Sequence, residues 1–168
     1  MSSVNMGTVA TKFDSATDSP EYRLGSLCEI EELVEGPKEY LYGRAAAVQT
    51  VGTVCVEGPN GVWSAITTAN TAPGQLGGHG SRVGVVAAAV LGVNQYGWYQ
   101  VFGQAQLRGA GAIAVGTRLN TTATPGSVDD DGTVGARTIL GITLKTALGG
   151  AGIAPNARLE YPSVGATL

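Results

Sequence analysis

The sequence predicts an all-β protein, a small β-sandwich or barrel preceded by an extended N-terminal arm. Composition is the first reason, because the 168 residues include 26 glycines and 7 prolines and only 14% are charged. Such a chain is poor in the residues that fill exposed helix faces, so helices should be few and short. The second reason is a rhythm of short apolar runs separated by glycine turns, roughly every 8 to 12 residues, which is typical of sandwiches and barrels.

Charge is distributed unevenly along the chain. Residues 1–44 contain eight acidic and four basic side chains, whereas residues 45–168 contain five and six. No cluster of Lys and Arg is suited to a phosphate backbone, so we expect no direct nucleic-acid binding. The longest apolar run, residues 83–93, is well short of the ~20 residues of a membrane-spanning helix. The N-terminus lacks the pattern of a secretory signal, so we expect a soluble protein without a membrane partner.

Residues 1–20 are predicted to form the arm, and residues 21–168 a single β domain. The arm is small and polar, shows neither helical nor strand periodicity, and ends at Asp18-Ser19-Pro20. Fully extended, it would reach roughly 66 Å at ~3.3 Å per residue. Such an arm is either ordered on a neighbouring molecule or frayed, and the sequence leaves both interpretations open.

The next segments predict two hairpins. Residues 22–44 favour a hairpin with its turn over 35–38, although the first half also fits a short helix. Residues 45–57 and 61–68 predict two strands joined by a tight turn at Gly58-Pro59-Asn60-Gly61.

A glycine-rich loop over residues 69–82 contains the only histidine, His79. Its GGHG setting lacks the lysine of a phosphate-binding loop and does not begin an amphipathic helix. We therefore expect an exposed turn. Residues 82–93, small and apolar, predict a buried strand that leads into the next segment.

Residues 95–107 are predicted to be the central strand of the domain. Tyr96, Trp98 and Phe102 alternate with the residues between them, as on a strand whose side chains face opposite ways. A face carrying large aromatic rings can hold a small β core together. We therefore interpret these three aromatic residues as core anchors.

The residues that chemistry would need are scarce. One histidine does not predict a nucleophile–base site, and with Cys28 and Cys55 it makes no convincing zinc site. The two cysteines lack a disulfide spacing, so free thiols are favoured. Asp129-Asp130-Asp131 precedes Gly132 without calcium-loop spacing, so a hairpin turn is favoured over a cation site. We predict no enzyme activity, no metal and no cofactor.

Several short motifs occur in a particular order. They are the YGW of residues 96–98, GQA of 103–105, GTRL of 116–119, PGSV of 125–128 and ILGITL of 139–144. In this order they resemble the capsid decoration, or cement, proteins of tailed bacteriophages.

The resemblance covers roughly residues 40 to 162. Leu24-Gly25 followed by Glu39-Tyr40-Leu41-Tyr42 is also similar to the entry segment of members from cyanobacterial phages. It implies a non-enzymatic β domain, jelly-roll or β-tulip-like, made in the host cytoplasm and located on the outer surface of the virion.

The resemblance also implies partners. The chain would form a homotrimer that braces neighbouring major capsid proteins, with Tyr96, Trp98 and Phe102 as core or trimer anchors. The arm would cross a capsomer boundary, and its capsid-binding residues would be Val4, Met6, Val9, Lys12 and Phe13.

Two alternatives stay open. A carbohydrate-binding head fibre or spike module would stack exposed Trp63, Trp98 or Tyr99 on sugar rings, so the burial of Trp98 distinguishes it from a structural protein. A small β-barrel enzyme using carboxylates would show a pocket joining Asp129–Asp131 to another acid.

Overall fold

The computed structural model describes Phe13 and residues 15–168, and it confirms the predicted all-β class. The described residues form fourteen strands and one short 3-10 turn at Pro59–Gly61. No helix among them is long and apolar enough to cross a membrane. The strands are β1 (Leu27–Glu32), β2 (Gly36–Ala45), β3 (Gln49–Thr50), β4 (Val54–Glu57), β5 (Val62–Ala65), β6 (Val83–Val86), β7 (Val90–Leu91), β8 (Tyr96–Gly109), β9 (Ala112–Ile113), β10 (Leu119–Thr121), β11 (Val128–Asp129), β12 (Arg137–Leu144), β13 (Leu148–Gly149) and β14 (Gly152–Thr167).

The strand pairs close into two small barrels of five strands each. The first barrel runs β2-β5-β4-β6-β8 and back to β2, and the second runs β8-β11-β10-β12-β14 and back to β8. Within each ring one pair is parallel, β2 with β5 and β8 with β11, and the other pairs are antiparallel. Closure leaves neither ring with an unpaired edge of its own.

Strand β8 belongs to both barrels, which confirms the predicted central strand. Residues 96–102 pair with β2, and residues 102–109 pair with β14. Phe102 is the crossing point, since it is opposite Glu39 of β2 and Glu160 of β14. A strand of 14 residues can serve two short barrels in succession.

The second barrel repeats the strand pairing of the first, shifted by six strands. Each barrel also carries a two-stranded ribbon at the equivalent place, β3 with β7 and β9 with β13. The sequence repeats as well: Val51-Gly52-Thr53 precedes β4 and Val115-Gly116-Thr117 precedes β10, while Pro59 and Pro125 stand before β5 and β11. The chain is therefore a tandem repeat of one six-strand unit built around a shared strand.

The interior of the first barrel is filled by Trp63 and Tyr99. Their rings stack with centroids 4.5 Å apart and planes 10° from parallel. Gly43 and Gly84 make room for the indole, because a Cβ atom at Gly43 would overlap the Trp63 ring and one at Gly84 would lie 3.0 Å from it. The interior face of β8 is thus the Tyr99 face, opposite to the predicted Trp98 face.

The buried Gln49 amide pairs with two of the polar groups beside these rings, whereas the Trp63 indole Nε1 has no hydrogen-bond partner among the described residues. The Tyr99 hydroxyl donates to Oε1 of Gln49 at 2.8 Å, and Nε2 of Gln49 donates to the Trp63 carbonyl at 2.8 Å. Burial, the larger cause, and the neighbouring Cys55 raise the pKa of Tyr99 far above its ordinary value. The barrel interior therefore keeps this phenol protonated.

The outer face of β4 and β6 and the interior of the second barrel form one hydrophobic cluster, separate from the cluster inside the first barrel. Val54 and Val56 of β4 and Val83 and Val85 of β6 face away from Trp63 and pack with the apolar interior of the second barrel. The residues of that interior are Ala105, Leu107, Ile113, Leu119, Val128, Ile139, Ile142, Leu144, Ala154, Ala157, Leu159 and Val164.

Three sequence predictions need correction. The first hairpin turns over residues 33–35, not 35–38, because Gly36 has a φ of +77° and closes a three-residue loop, so that Gly36 and the residues after it begin β2. The predicted strand over 82–93 is divided into β6 and β7, since the chain leaves the barrel to form the ribbon with β3. The second predicted hairpin, β4 with β5, is confirmed, but its first strand begins at Val54 and not at residue 45, because residues 49–50 form β3 of the ribbon.

Candidate interaction surfaces

The N-terminal segment covers an aromatic cluster outside the first barrel. Phe13 is buried, with its ring 4.7 Å from that of Tyr40 and 5.2 Å from that of Trp98. Thr17 and Tyr96 exchange two backbone hydrogen bonds of 2.8 and 3.0 Å. Packing on the β domain thus extends back to Phe13, within the range predicted as an arm.

This arrangement places two of the predicted anchors. Trp98 is 3% exposed, on the face of β8 opposite to Tyr99, and its ring lies 5.0 Å from that of Tyr42. Tyr96 packs at the border of the same cluster. Phe13 contacts its own chain, and the other predicted capsid-binding residues, Val4, Met6, Val9 and Lys12, lie outside the described residues.

Phe102 is half-buried and belongs to none of the buried core clusters, so of its two predicted roles, core or trimer anchor, the structure corrects the core role. Its ring stacks on Tyr161 at 5.2 Å, and the Arg158 guanidinium lies 5.1 Å above it. Gly103 (φ +92°) and a register shift at Glu39 turn the strand here, because β8 passes from one barrel to the other.

Tyr161, which stacks on Phe102, is an exposed aromatic residue in a left-handed backbone conformation. It is 56% exposed, has a positive φ of 48°, and donates a hydrogen bond of 2.5 Å to Oε1 of Glu39. That hydrogen bond, more than burial and nearby carboxylates, raises the pKa of Tyr161 to about 12. The phenol therefore remains a donor across the physiological range.

The hairpin of β1 and β2 ends in an exposed apolar pair. We define the hairpin tip as residues 32–35, in which Leu33 is 104% exposed and Val34 is 95% exposed. Gly36 closes the loop, as in hairpins whose three-residue turn ends in a left-handed glycine. The tip therefore presents two adjacent apolar side chains fully to solvent.

A buried lysine braces the hairpin tip. The Lys38 ammonium is paired with Glu32 at 3.0 Å and with Glu35, and Nε2 of Gln104 donates to Glu35 at 3.4 Å. Burial alone would lower the pKa of Lys38, but the hydrogen bonds and charges of the two glutamates outweigh it and raise the pKa. These contacts tie the tip to β8, so the apolar pair is displayed on a rigid support.

The surface of the described residues contains two grooves. One, of about 470 Å³, lies under the hairpin and includes Lys38 and Gln104. The other, of about 600 Å³, follows the seam between the barrels, and we call it the seam groove. Arg108 lines it, donates to the Thr50 hydroxyl at 2.9 Å, and takes part in none of the ion pairs among the described residues. The seam groove is otherwise lined mainly by small side chains, among them Val48, Ala65, Ala110, Pro125 and Ala151.

The acidic turn at Asp129–Asp131 makes hydrogen bonds within the chain. The Asp130 carboxylate accepts hydrogen bonds from the Ala114 amide at 2.9 Å and the Thr117 hydroxyl at 3.2 Å, and these lower its pKa. Neither groove is lined by Asp129–Asp131. Within the part of the chain that the structure describes, no cluster of histidine, cysteine or acidic residues is arranged to hold a metal ion.

The remaining predicted groups occupy ordinary positions. Cys28 and Cys55 are buried and unpaired, as predicted, and burial raises the pKa of both thiols. His79 lies in an exposed loop. Trp63, Trp98 and Tyr99 are all buried, so none of them offers a ring face for a sugar.

Sequence reasoning missed the hairpin tip and Arg108. A signal for the tip was present in the sequence. Leu33 and Val34 lie between Glu32 and Glu35, and Gly36-Pro37 follows at once, so these two apolar residues stand next to a turn signal. For Arg108 there was none, because the groove beside it is assembled from distant segments.

The described residues define a class, a double-barrel β protein that carries a rigid apolar projection and a seam groove. Comparisons with protein-family models, curated proteins and solved structures found no match to this chain.

Proposed function

We propose that the protein is a structural virion protein, which binds the outer surface of an icosahedral capsid as a trimer and stabilises contacts between major capsid proteins. The observation that carries the proposal is the braced hairpin tip. Burying a Leu or Val side chain contributes about 1.5–3 kcal/mol, and Leu33 and Val34 contribute none of this in the free chain. A rigid apolar projection is suited to docking on another protein chain, as assembly into a trimer requires.

Two further features support the proposal. The order of short motifs along β8 to β12 resembles that of bacteriophage decoration proteins, and the sequence of residues 1–20 predicts an extended arm. A protein present in many copies gains attachment from several modest contacts. It stabilises the shell by linkage when it binds the assembled lattice and not free subunits.

Imaging of capsids tests the proposal directly. Purified protein incubated with undecorated heads should appear as trimers at a fixed symmetry position, and the heads should resist heating better than untreated heads. Absence of binding at every salt concentration would contradict the proposal.

A carbohydrate-binding head fibre or spike module is the second candidate, favoured by the exposed Tyr161 stacked on the half-buried Phe102 beside Arg158 and Glu39. Aromatic rings next to charged side chains are suited to sugars. Binding to a glycan array that is lost in Tyr161→Ala, together with no binding to heads, would support this candidate over the first.

A further inference from the structure

The hairpin tip and the seam groove are complementary in chemistry and lie on different parts of the chain. The tip presents the apolar side chains of Leu33 and Val34, and its hairpin carries the exposed acids Glu29 and Glu31. The seam groove has walls of small apolar and hydroxyl-bearing side chains and the Arg108 guanidinium, for which the described residues supply no carboxylate.

We propose that the hairpin tip of one copy docks into the seam groove of a second copy, and that this contact holds the trimer together. The inference rests on the proposed function for the trimer, and it adds the two surfaces that build it. Leu33 and Val34 would lie against Val48 and its apolar neighbours, and a hairpin glutamate would pair with Arg108.

Charge favours this occupant. Residues 1–44, which include the hairpin, carry eight acidic and four basic side chains. Arg108 bonds only the neutral Thr50 hydroxyl among the described residues, so its charge is available to an incoming carboxylate. A charge-assisted hydrogen bond to a carboxylate is stronger than one to a hydroxyl.

Symmetry favours a head-to-tail contact. A ring of three copies needs two different surfaces on each copy, whereas a two-fold dimer needs one surface that is complementary to itself. Two hairpin tips facing each other would bring glutamates together, which is unfavourable. A tip seated in a groove avoids that repulsion and closes into a ring when successive copies are rotated by a third of a turn.

The test is cysteine cross-linking of the full-length chain. Val34→Cys lies on the tip, Val48→Cys lies in the groove and is 63% exposed in the native chain, and the native Cys28 and Cys55 are buried. A mixture of the two single variants under mild oxidation should give disulfide-linked dimers at least tenfold above a mixture of Val34→Cys with Leu76→Cys. Leu76 is 74% exposed and lies outside the groove, so Leu76→Cys is the matched control. The double variant Val34→Cys/Val48→Cys should close into covalent trimers.

Sedimentation of the wild-type chain separates the two proposals. A trimeric wild type without cross-linking above the control would overturn the tip-to-groove contact and leave the proposed function standing. A chain that stays monomeric and does not cross-link would overturn both, whereas a monomer that cross-links would retain the contact and reject the trimer. A second variant, Arg108→Glu, should weaken trimer association at least tenfold, and unchanged association would also count against the contact.

Discussion

Gly43 illustrates, at the scale of one residue, how closely the first barrel is filled. The Trp63 indole occupies the position that a Cβ atom at residue 43 would take. Gly84 lies against the same ring from another strand. A five-stranded barrel has a narrow interior, so one tryptophan stacked on one tyrosine needs glycine at the facing positions.

Substitution of Gly43 tests this packing. Gly43→Ala should lower the free energy of unfolding by about 1–3 kcal/mol, because overpacking forces the indole or the backbone to shift. Chemical denaturation followed by Trp fluorescence measures the change. Gly150→Ala is the control, since no atom lies within 4 Å of that Cβ position. Equal stability of the two variants would show that the barrel has spare room at Gly43.

At the scale of elements, the first hairpin is a strand pair braced by one side chain. The β1–β2 ladder sets the register, but the direction of the tip depends on Lys38 and its two glutamates. Those carboxylates are 41% and 38% exposed, so they recover water if the ammonium is removed. Lys38 therefore contributes more to local order than to global stability.

Replacement of the lysine separates these contributions. Lys38→Met should change the free energy of unfolding by less than about 1 kcal/mol, yet speed amide exchange across residues 31–36. Hydrogen exchange with mass spectrometry measures the amide exchange rates of the hairpin and of the rest of the chain. Arg82→Met breaks the 3.0 Å surface pair with Glu57 and should leave exchange in the hairpin unchanged. Unaltered hairpin protection in Lys38→Met would mean that the tip does not depend on this brace.

At the scale of the whole molecule, the N-terminal segment has two parts. Phe13 and Thr17 complete the aromatic cluster over β2 and β8, whereas residues 1–12 are the part of the predicted arm to which the resemblance assigns most of the capsid-binding residues. The packed part should therefore contribute to folding, and we expect the preceding part to contribute to attachment.

Two truncations test that division. Deleting residues 1–12 should leave the melting temperature and the trimer unchanged but reduce occupancy on heads. Deleting residues 1–20 should also cost about 3 kcal/mol or more, because the loss of Phe13 uncovers Trp98 and Tyr40. Calorimetry and imaging of decorated heads measure the two effects. Undiminished occupancy after the shorter deletion would exclude a role in attachment, and equal melting of both truncations would show that Phe13 adds no stability.

Much of the fold follows from local patterns. Composition predicts strands over helices, the tight turn predicts the β4–β5 hairpin, and alternation predicts that residues 95–107 are a central strand. The absence of disulfide spacing predicts two free thiols. These features depend on neighbouring residues, so the sequence is sufficient for them.

The choice of the inner face was decided only by the tertiary structure. Both faces of β8 carry aromatic residues, Trp98 on one and Tyr99 on the other, and alternation does not indicate which face is enclosed. The answer depends on Trp63, Gly43 and Gly84, which are distant in sequence and meet Tyr99 only when the barrel closes.

The sequence by itself therefore determined the all-β class and the central position of β8, and it favoured free cysteines. The tertiary structure decided that β8 serves two barrels, that Phe102 lies outside the core, and that the hairpin tip and the seam groove exist. The physical reason is that strand propensity and turn chemistry act over a few residues. Barrel closure and grooves arise from hydrogen bonds and packing between segments far apart in the chain.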